Sequence, residues 1–307
     1  MRVAIIGRTE ILYNTATQLR DAGHEIVCIL TAKEAPEYQR GVEDFRALAG
    51  KWGVPFVSSS RIREHRHFLA QTRADIAVSI NYSGVIPEEI TALFPLGILN
   101  AHGGDLPRYR GNACQAWAIL NGEEKIGLCI HRMIGGELDS GDIIARAYLP
   151  IDHTTKITFV MEWMSARTPD LFLDAVQLLS ANPAYVLEQQ SKEAKKALRC
   201  YPRIPEDCRI VWSKSAIDVL RGINASNRPY PGAFCHFDGK RVIVWDAELV
   251  DDLEPFCAIP GQVTKINASS VEVACGCGKI RILSIEVDNI MCHPVDLVTT
   301  IRSRFCS

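Results

Sequence analysis

Residues 2–7, Arg-Val-Ala-Ile-Ile-Gly, are a short apolar run that ends at a glycine. A run of this length, bounded by a turn-forming residue, is typical of a buried strand. Residues 10–22 follow with apolar side chains at helical spacing, and residues 25–31 are again strand-like. Strand, helix and strand in this order predict the start of a parallel α/β sheet.

The same alternation extends to about residue 181 and then stops. Further strands are predicted at 75–81, 97–102, 127–133 and 143–149. Further helices are predicted at 41–52, 61–72, 87–94 and 156–181. The predicted fold class is therefore α/β, with a Rossmann-like, mostly parallel sheet and helices on both of its faces.

After a polar, lysine-rich stretch, the pattern changes to a helix near 213–225 and then to short β segments. These segments lie at 241–245, 261–266, 270–274 and 279–287. Turn signals such as Asp238-Gly239 separate some of them,. We therefore predict a smaller, β-barrel-like C-terminal domain of the OB type. The expected domains are 1–189 and 206–307, joined by a linker over 190–205.

Composition limits the classes of partner and compartment. The chain has 34 Lys and Arg against 36 Asp and Glu, a formal charge of -2. This balance argues against a large basic face for nucleic acid. Its 11 cysteines sit mostly in apolar segments, which favours buried thiols in a reducing compartment. With neither a signal peptide nor a membrane-spanning run in the sequence, we expect a cytoplasmic protein without a membrane partner.

The first strand invites a dinucleotide-binding interpretation, which the next residues weaken. The segment Gly7-Arg8-Thr9-Glu10 has one glycine. The Gly-x-Gly-x-x-Gly turn, which lets backbone approach a pyrophosphate, is missing. A nicotinamide dehydrogenase is therefore disfavoured, and tight binding of NADH would revive it. Ligands of open α/β sheets still bind at the carboxyl ends of the strands, which places the expected chemistry just after Asn81, His102 or Met133.

Two loops after predicted strands carry the candidate chemistry. Asn100 and His102 are two apart on one strand, so their side chains point to the same face. The loop over 103–112 that follows is rich in glycine, and a second, acidic loop at 135–142 is bracketed by glycines. Each feature alone is weak evidence, because a lone histidine is more often a packing residue. Their combination at the strand ends favours an active site.

These motifs resemble the folate-dependent formyltransferases. The matching stretches are Asn-Ala-His-Gly-Gly-Asp-Leu-Pro-Arg-Tyr-Arg-Gly at 100–111 and Leu-Asp-Ser-Gly-Asp at 138–142. Residues 206–212 and 229–245 look like the C-terminal domain of the family's tRNA and sugar members. One departure is Gly104-Asp105, where the family commonly has Ser-Leu before Leu-Pro.

The resemblance implies a donor, a site and a mechanism. The donor is 10-formyltetrahydrofolate, no metal is needed, and Asn100, His102 and Asp139 are catalytic. Asn100 would donate a hydrogen bond to the oxyanion, and His102 would handle protons near neutral pH. Asp139 would orient His102, although the immediate proton acceptor stays open. The pterin would lie against backbone in two loops, at Val85-Ile86 and Glu137-Leu138.

The amine acceptor is less well determined by the sequence. Residues 110–117 resemble the sugar-modifying members, which predicts a nucleotide-linked amino sugar as substrate. Tyr82, Arg110 and Trp117 are candidate substrate-binding residues, and core packing is an equal interpretation for Tyr82 and Trp117. The alternatives are a methionyl-tRNA formyltransferase, which would act on initiator tRNA, and a catalytically silent binding protein. A homodimer is possible on this fold.

Other residues of metal-binding type have simpler interpretations. Cys275 and Cys277 form Cys-Gly-Cys-Gly, which suits a hairpin turn better than a zinc site, because only Cys292 and His293 offer further ligands,. The histidines of Arg-Glu-His-Arg-His at 63–67 lie on a charged helical stretch, which favours a solvated face.

Overall fold

A computed structural model describes residues 1–36, 38–251 and 254–307. The described chain divides into two compact units. The first unit contains 1–111, 126–149 and 162–200. The second contains 112–125, 150–161 and 201–307. Each unit is therefore assembled from segments that alternate along the chain.

The first unit is built on a seven-stranded sheet with the order β3-β2-β1-β4-β5-β7-β8. The strands are β1 (Arg2–Gly7), β2 (Glu25–Thr31), β3 (Phe56–Ser58), β4 (Ile76–Ile80), β5 (Ile98–His102), β7 (Lys125–Arg132) and β8 (Ile143–Pro150). The first five strands are parallel, whereas β7 pairs with β5 in the antiparallel sense. The predicted Rossmann-like, mostly parallel sheet is confirmed.

Helices join these strands as the hydrophobic periodicity predicts. They are α1 (Glu10–Asp21), α2 (Val42–Trp52), α3 (Arg66–Gln71), α4 (Glu88–Thr91) and α6 (Ile157–Ala181). Thr9 caps α1, because its side chain accepts a hydrogen bond from the Leu12 N–H, and the helix buries Leu12, Ala16 and Leu19,. Helix α3 follows a short 3₁₀ turn over Ile62–His65.

Gly7 has a packing role at the end of β1. A side chain at this position would overlap the carbonyl oxygen of Ile80 on the neighbouring strand β4, and its φ is 136°. Only glycine combines that close approach with positive φ at low cost. The single glycine of the first turn therefore lets two strands approach, which explains it without a dinucleotide.

The second unit contains a six-stranded antiparallel sheet and two helices, α5 (Cys114–Asn121) and α7 (Ala216–Ala225). The strands are β10 (Ala233–Phe237), β11 (Lys240–Leu249), β12 (Val263–Ile266), β13 (Val271–Ala274), β14 (Lys279–Val287) and β15 (Ile290–Cys292). The sequence prediction lacked α5, β10 and β15. Two short strands of the first unit, β6 (Arg110–Gly111) and β9 (Arg199–Cys200), pair in parallel.

The C-terminal residues of the second unit close its sheet. The backbone of Phe305 donates to Gly261 beside β12, and Cys306 exchanges hydrogen bonds with His236 of β10. These two strands are the opposite edges of the sheet order, so one extended segment covers both. Covering the edges removes unpaired backbone groups, and the separate antiparallel domain expected from the sequence is confirmed.

The segments between the two predicted domains are more ordered than a linker. Within the predicted linker 190–205, Gln190 and Cys200 are buried and β9 pairs with β6. Residues 112–125 and 150–161 group with the second unit, although they precede the predicted boundary. The domain bounds 1–189 and 206–307 stay a prediction.

The Cys-Gly-Cys-Gly segment connects β13 to β14 as a tight turn. The Cys275 N–H donates to the Gly278 carbonyl oxygen over 2.9 Å. Burial raises the pKa of the Cys275 thiol to about 12, whereas Cys277 is exposed. Among the residues with described positions, no cluster of three or more His, Cys, Asp or Glu side chains is arranged to hold a metal ion.

Of the helices in the described part of the chain, none combines the length and the apolar character needed for a transmembrane span.

Candidate active site

Strands β5 and β7 bring Asn100 beside His131. The two residues are directly opposite in the antiparallel register, so their side chains share one face,. The Asn100 amide nitrogen lies 3.2 Å from Nε2 of His131, and Nδ1 of His131 lies 3.2 Å from the Arg132 carbonyl oxygen. Because a carbonyl only accepts, Nδ1 carries the proton, and in the neutral ring Nε2 then accepts from Asn100.

The Asp139 carboxylate lies between two imidazoles. One oxygen is 3.5 Å from Nδ1 of His102 and the other is 3.5 Å from Nε2 of His131. The Gly111 N–H also donates to the carboxylate over 2.9 Å. Burial alone would raise the pKa of Asp139, but the His131 contact, the charges of both imidazoles and the Gly111 N–H lower it to about 2. The group is therefore a fixed negative charge at neutral pH.

His102 is buried with a neighbour at each ring nitrogen. Its Nε2–H donates to the Tyr109 carbonyl oxygen over 2.5 Å, and Nδ1 faces Asp139. Burial lowers the pKa of His102, although Asp139 and the Tyr109 hydrogen bond oppose that effect. The imidazole is consequently neutral near pH 7. It can accept a proton at Nδ1, where Asp139 stabilises the cation.

Gly104 sets the path of the loop beside His102. A methyl group at this position would overlap the Tyr109 carbonyl oxygen and lie 2.7 Å from Nε2 of His102. The Gly104 carbonyl in turn accepts from the Cys129 thiol on β7. The absence of a side chain therefore permits the Tyr109 contact that fixes the imidazole ring.

The two predicted pterin loops adjoin each other. The Gly136 N–H donates to the Ile86 carbonyl oxygen over 3.1 Å. Val85 is 67% exposed and Leu138 is 39% exposed, whereas the Glu137 carboxylate accepts from Ser140. Exposed apolar side chains beside loop backbone suit a flat aromatic ring with polar edges. Val85 and Leu138 fit the predicted group, whereas the Ile86 side chain is buried. The assignment of all four residues stays a prediction.

The three predicted substrate residues have different surroundings. Tyr82 packs on the core of the first unit, and its hydroxyl donates to the Ser59 carbonyl oxygen. Trp117 belongs to the second unit, where its indole N–H donates to the Tyr201 carbonyl oxygen. The position of Tyr82 agrees with the packing interpretation that the sequence left open, whereas the assignment of Trp117 stays a prediction. Arg110 donates a hydrogen bond to the side chain of Gln190.

Two residues near the site were not found from the sequence. His131 lies inside a predicted strand, and the pairing register that sets it opposite Asn100 is its only signal. Gln190 lies in the predicted linker, and its amide oxygen accepts from Arg110 over 2.7 Å. Its amide nitrogen also contacts the backbone of Asp139. No local pattern marks such a contact across 51 residues of chain.

Known proteins resemble the whole chain. The family described as "Formyl transferase" matches residues 1–176, and "Formyl transferase, C-terminal domain" matches residues 203–299. A methionyl-tRNA formyltransferase of Desulforamulus reducens is 27% identical over 293 residues, which cover 94% of this chain and 90% of the relative.

Solved structures share the fold at low identity. An N-formyltransferase from Helicobacter canadensis, in complex with folinic acid and dTDP-3-aminofucose, has a TM-score of 0.69 at 15% identity, over 92% of this chain and 98% of that one. HypX from Aquifex aeolicus, in complex with tetrahydrofolic acid, has a TM-score of 0.64 at 17% identity, over 98% of this chain. This chain spans about half (47%) of the length of HypX. Because the two family matches together cover most of the sequence, the chain belongs to the formyl transferase family and is a one-carbon transferase.

Proposed function

We propose that the enzyme transfers the formyl group of 10-formyltetrahydrofolate to the amine of a nucleotide-linked amino sugar. The observation that carries formyl transfer is the arrangement of Asn100, His102 and Asp139, in which a buried neutral imidazole meets a fixed carboxylate beside an amide donor. Acyl transfer needs a proton acceptor and an oxyanion donor, and these side chains supply both.

The reaction forms one bond and breaks another. The amine nitrogen bonds to the formyl carbon, the bond from that carbon to the folate nitrogen breaks, and the proton lost by the amine is balanced by one gained at the leaving nitrogen. His102 can carry such a proton at Nδ1 because Asp139 lies 3.5 Å away. The Asn100 amide has two N–H bonds and uses one on His131, which leaves a donor for the oxyanion.

Folate as the donor is supported by the loops and by two relatives. Val85 and Leu138 offer apolar surface on adjoining loops. The solved structures of the H. canadensis enzyme and of HypX contain folinic acid and tetrahydrofolic acid. The bound donor supplies an activated formyl carbon. The protein must hold its ring and keep the carbon beside Asn100 and His102.

Three observations support an amino sugar as the acceptor. The stretch 110–117 resembles the sugar-modifying members, and the net charge of -2 offers no excess of cations for a polynucleotide,. The H. canadensis enzyme, which aligns over 98% of its length, was solved with a nucleotide-linked amino sugar. A cytoplasmic location fits this substrate class and the 11 free cysteines,.

A second candidate is formylation of methionyl-tRNA. The specific observation in its favour is that the full-length sequence relatives carry that name, as the D. reducens protein does over 90% of its length. The two candidates share the formyl donor and the catalytic residues, so they differ only in the acceptor.

A direct competition between acceptors tests the proposal. The purified chain is incubated with 10-formyltetrahydrofolate and either a panel of nucleotide-linked amino sugars or charged initiator tRNA, and products are weighed by mass spectrometry. We expect a gain of one formyl group on a sugar amine. Formylation of the tRNA with no reaction on any sugar would replace the first candidate by the second, and Asp139→Asn serves as the inactive control for both.

A further inference from the structure

Gln190 uses every polar atom of its side chain at the active site. Its amide nitrogen donates to the carbonyl oxygens of Asp139 over 2.9 Å and of Gly141 over 2.6 Å. Its amide oxygen accepts from Nη2 of Arg110 over 2.7 Å. The residue is 7% exposed. A buried amide whose two N–H groups and oxygen all have partners is held in one orientation.

The backbone that Gln190 holds is in an uncommon conformation. Asp139 has a φ of +49°, in the left-handed region that side-chain-bearing residues rarely adopt,. Such a conformation is strained and persists only where contacts determine it. Two carbonyl oxygens anchored to one amide, at Asp139 and Gly141, determine it here.

The same glutamine also binds the chain segment that donates a backbone hydrogen bond to the Asp139 carboxylate. Arg110 donates to Gln190, and the next residue, Gly111, donates its N–H to the carboxylate of Asp139. Gln190 is therefore tied both to the backbone that carries the carboxylate and to the segment that binds it. Displacement of Gln190 would loosen both.

The chain around Gln190 is itself fixed. Glu188 exchanges backbone hydrogen bonds with Ile143 of β8, and its carboxylate forms a two-bond ion pair with Arg146. Further along, the Leu198 carbonyl accepts from the Arg110 N–H. The amide of Gln190 thus projects from a segment anchored on both sides.

We propose that Gln190 is a positioning residue for formyl transfer, which holds the Asp139 carboxylate against the imidazole of His102. This inference rests on the proposed function, because it gives Gln190 a role only through Asp139. The amide nitrogen of Gln190 donates to backbone carbonyls and not to the side chains of the proposed trio.

An isosteric variant isolates the donor role. Gln190→Glu keeps the size and the acceptor for Arg110, but it places a carboxylate against two carbonyl oxygens. The neighbouring Gln189 is exposed, so Gln189→Glu is a matched control with the same change in charge. We expect kcat of Gln190→Glu to fall about 10- to 100-fold, as for a catalytic group displaced by up to about 1 Å. KM for both substrates should stay within about twofold, and Gln189→Glu should match the parent enzyme.

The pH dependence of kcat distinguishes a positioning role of Gln190 from a merely structural one. His102 faces the titratable and charged groups Asp139, His131 and Arg110, and Asp139 acts to raise the pKa of His102. When Asp139 is displaced, it stabilises the protonated His102 less and the pKa of His102 falls. The acid limb of kcat against pH should therefore move to lower pH in Gln190→Ala. A merely structural role would lower thermal stability and the amount of active enzyme without moving that limb.

A double variant distinguishes failure of this inference from failure of the proposed function. If Gln190 acts through Asp139, adding Gln190→Ala to Asp139→Asn should change kcat by less than about twofold. Loss of activity in Asp139→Asn, together with full kcat in Gln190→Glu and an unmoved limb in Gln190→Ala, would overturn the role of Gln190 alone. Full activity in Asp139→Asn would overturn the assigned site, and this inference with it.

Discussion

The proposed active site has a half carried by strands and a half carried by loops. Asn100, His102 and His131 lie on β5 and β7, where the ladder of backbone hydrogen bonds fixes their positions. Asp139 and Tyr109 lie in loops and both have positive φ. Regular backbone pairing fixes the positions of the strand residues. The positions of the loop residues depend on individual hydrogen bonds to residues that are distant in sequence.

This difference indicates where each half is vulnerable. A strand residue can lose its side chain while its neighbours keep their places, because the ladder does not depend on that side chain. A loop residue that supplies a charge depends on contacts from Gly111 and Gln190. We therefore expect a substitution on β5 to remove only the chemical role of that residue. A substitution in the loops should instead disturb several roles of the site together.

The largest expected effect is at the carboxylate of the loop half. Asp139→Asn keeps the shape of the side chain but removes the charge that both imidazoles face. The neutral amide cannot stabilise a protonated His102, so we expect kcat to fall about 10³- to 10⁴-fold, as when the carboxylate of a catalytic triad is neutralised. Steady-state kinetics measures the effect, and near-ultraviolet circular dichroism controls for an intact fold. Activity within tenfold of the parent enzyme would contradict it.

The next effect is on the strand half. Asn100→Ala removes the proposed donor to the oxyanion while the β5 ladder stays in place. Loss of one such donor lowers kcat by about 10²- to 10³-fold. KM should change little, because the oxyanion forms only in the transition state. A variant with raised KM and normal kcat would instead make Asn100 a substrate-binding residue.

The third effect tests the loop path at Gly104. In Gly104→Ala the new methyl group would overlap the Tyr109 carbonyl oxygen, so the loop must shift and the His102 hydrogen bond must lengthen. Overpacking of this kind costs about 1–3 kcal/mol, and we expect a fall in kcat together with a lower melting temperature. Gly50→Ala is the matched control, since open space surrounds that helical position. Equal behaviour of the two variants would contradict the tight loop.

The sequence predicted the strand half well because its information is local. Apolar runs located β5 and β7, and the spacing of Asn100 and His102 placed both on one face,. His131 was missed because an apolar run does not contain the pairing register. The antiparallel arrangement of β7, which brings His131 opposite Asn100, is a property of the sheet.

The loops of the loop half were noticed from their composition, but Asp139 received its role only through resemblance. The motif around Asp139 identified the residue, but nothing nearby in sequence indicates that Gly111 and Gln190 hold it. Gln190 follows polar residues that look like a linker, because the contacts that bury it come from positions about 50 and 80 residues away. Local propensity contains no such information.

The smallest expected effect is the pH dependence of stability that comes from the Asp139 carboxylate in the loop half. Asp139 has an ordinary pKa of 3.8 that the folded protein lowers to about 2. A lowered carboxyl pKa means that the unfolded chain binds the proton more readily, so the stabilisation is present above about pH 4 and is lost as pH falls towards 2. Between pH 5 and pH 3 this linkage amounts to about 1 kcal/mol.

Urea unfolding of the parent and of Asp139→Asn at both pH values isolates that contribution. The difference between their free energies of unfolding should shrink by about 1 kcal/mol on going from pH 5 to pH 3. Gln190→Ala should show part of the same loss, because it loosens the loop, whereas Asn100→Ala on the strand should keep the full pH dependence. An identical pH dependence in the parent and in Asp139→Asn would mean that the loop does not hold the carboxylate as a charge. The two halves of the site would then differ in geometry alone.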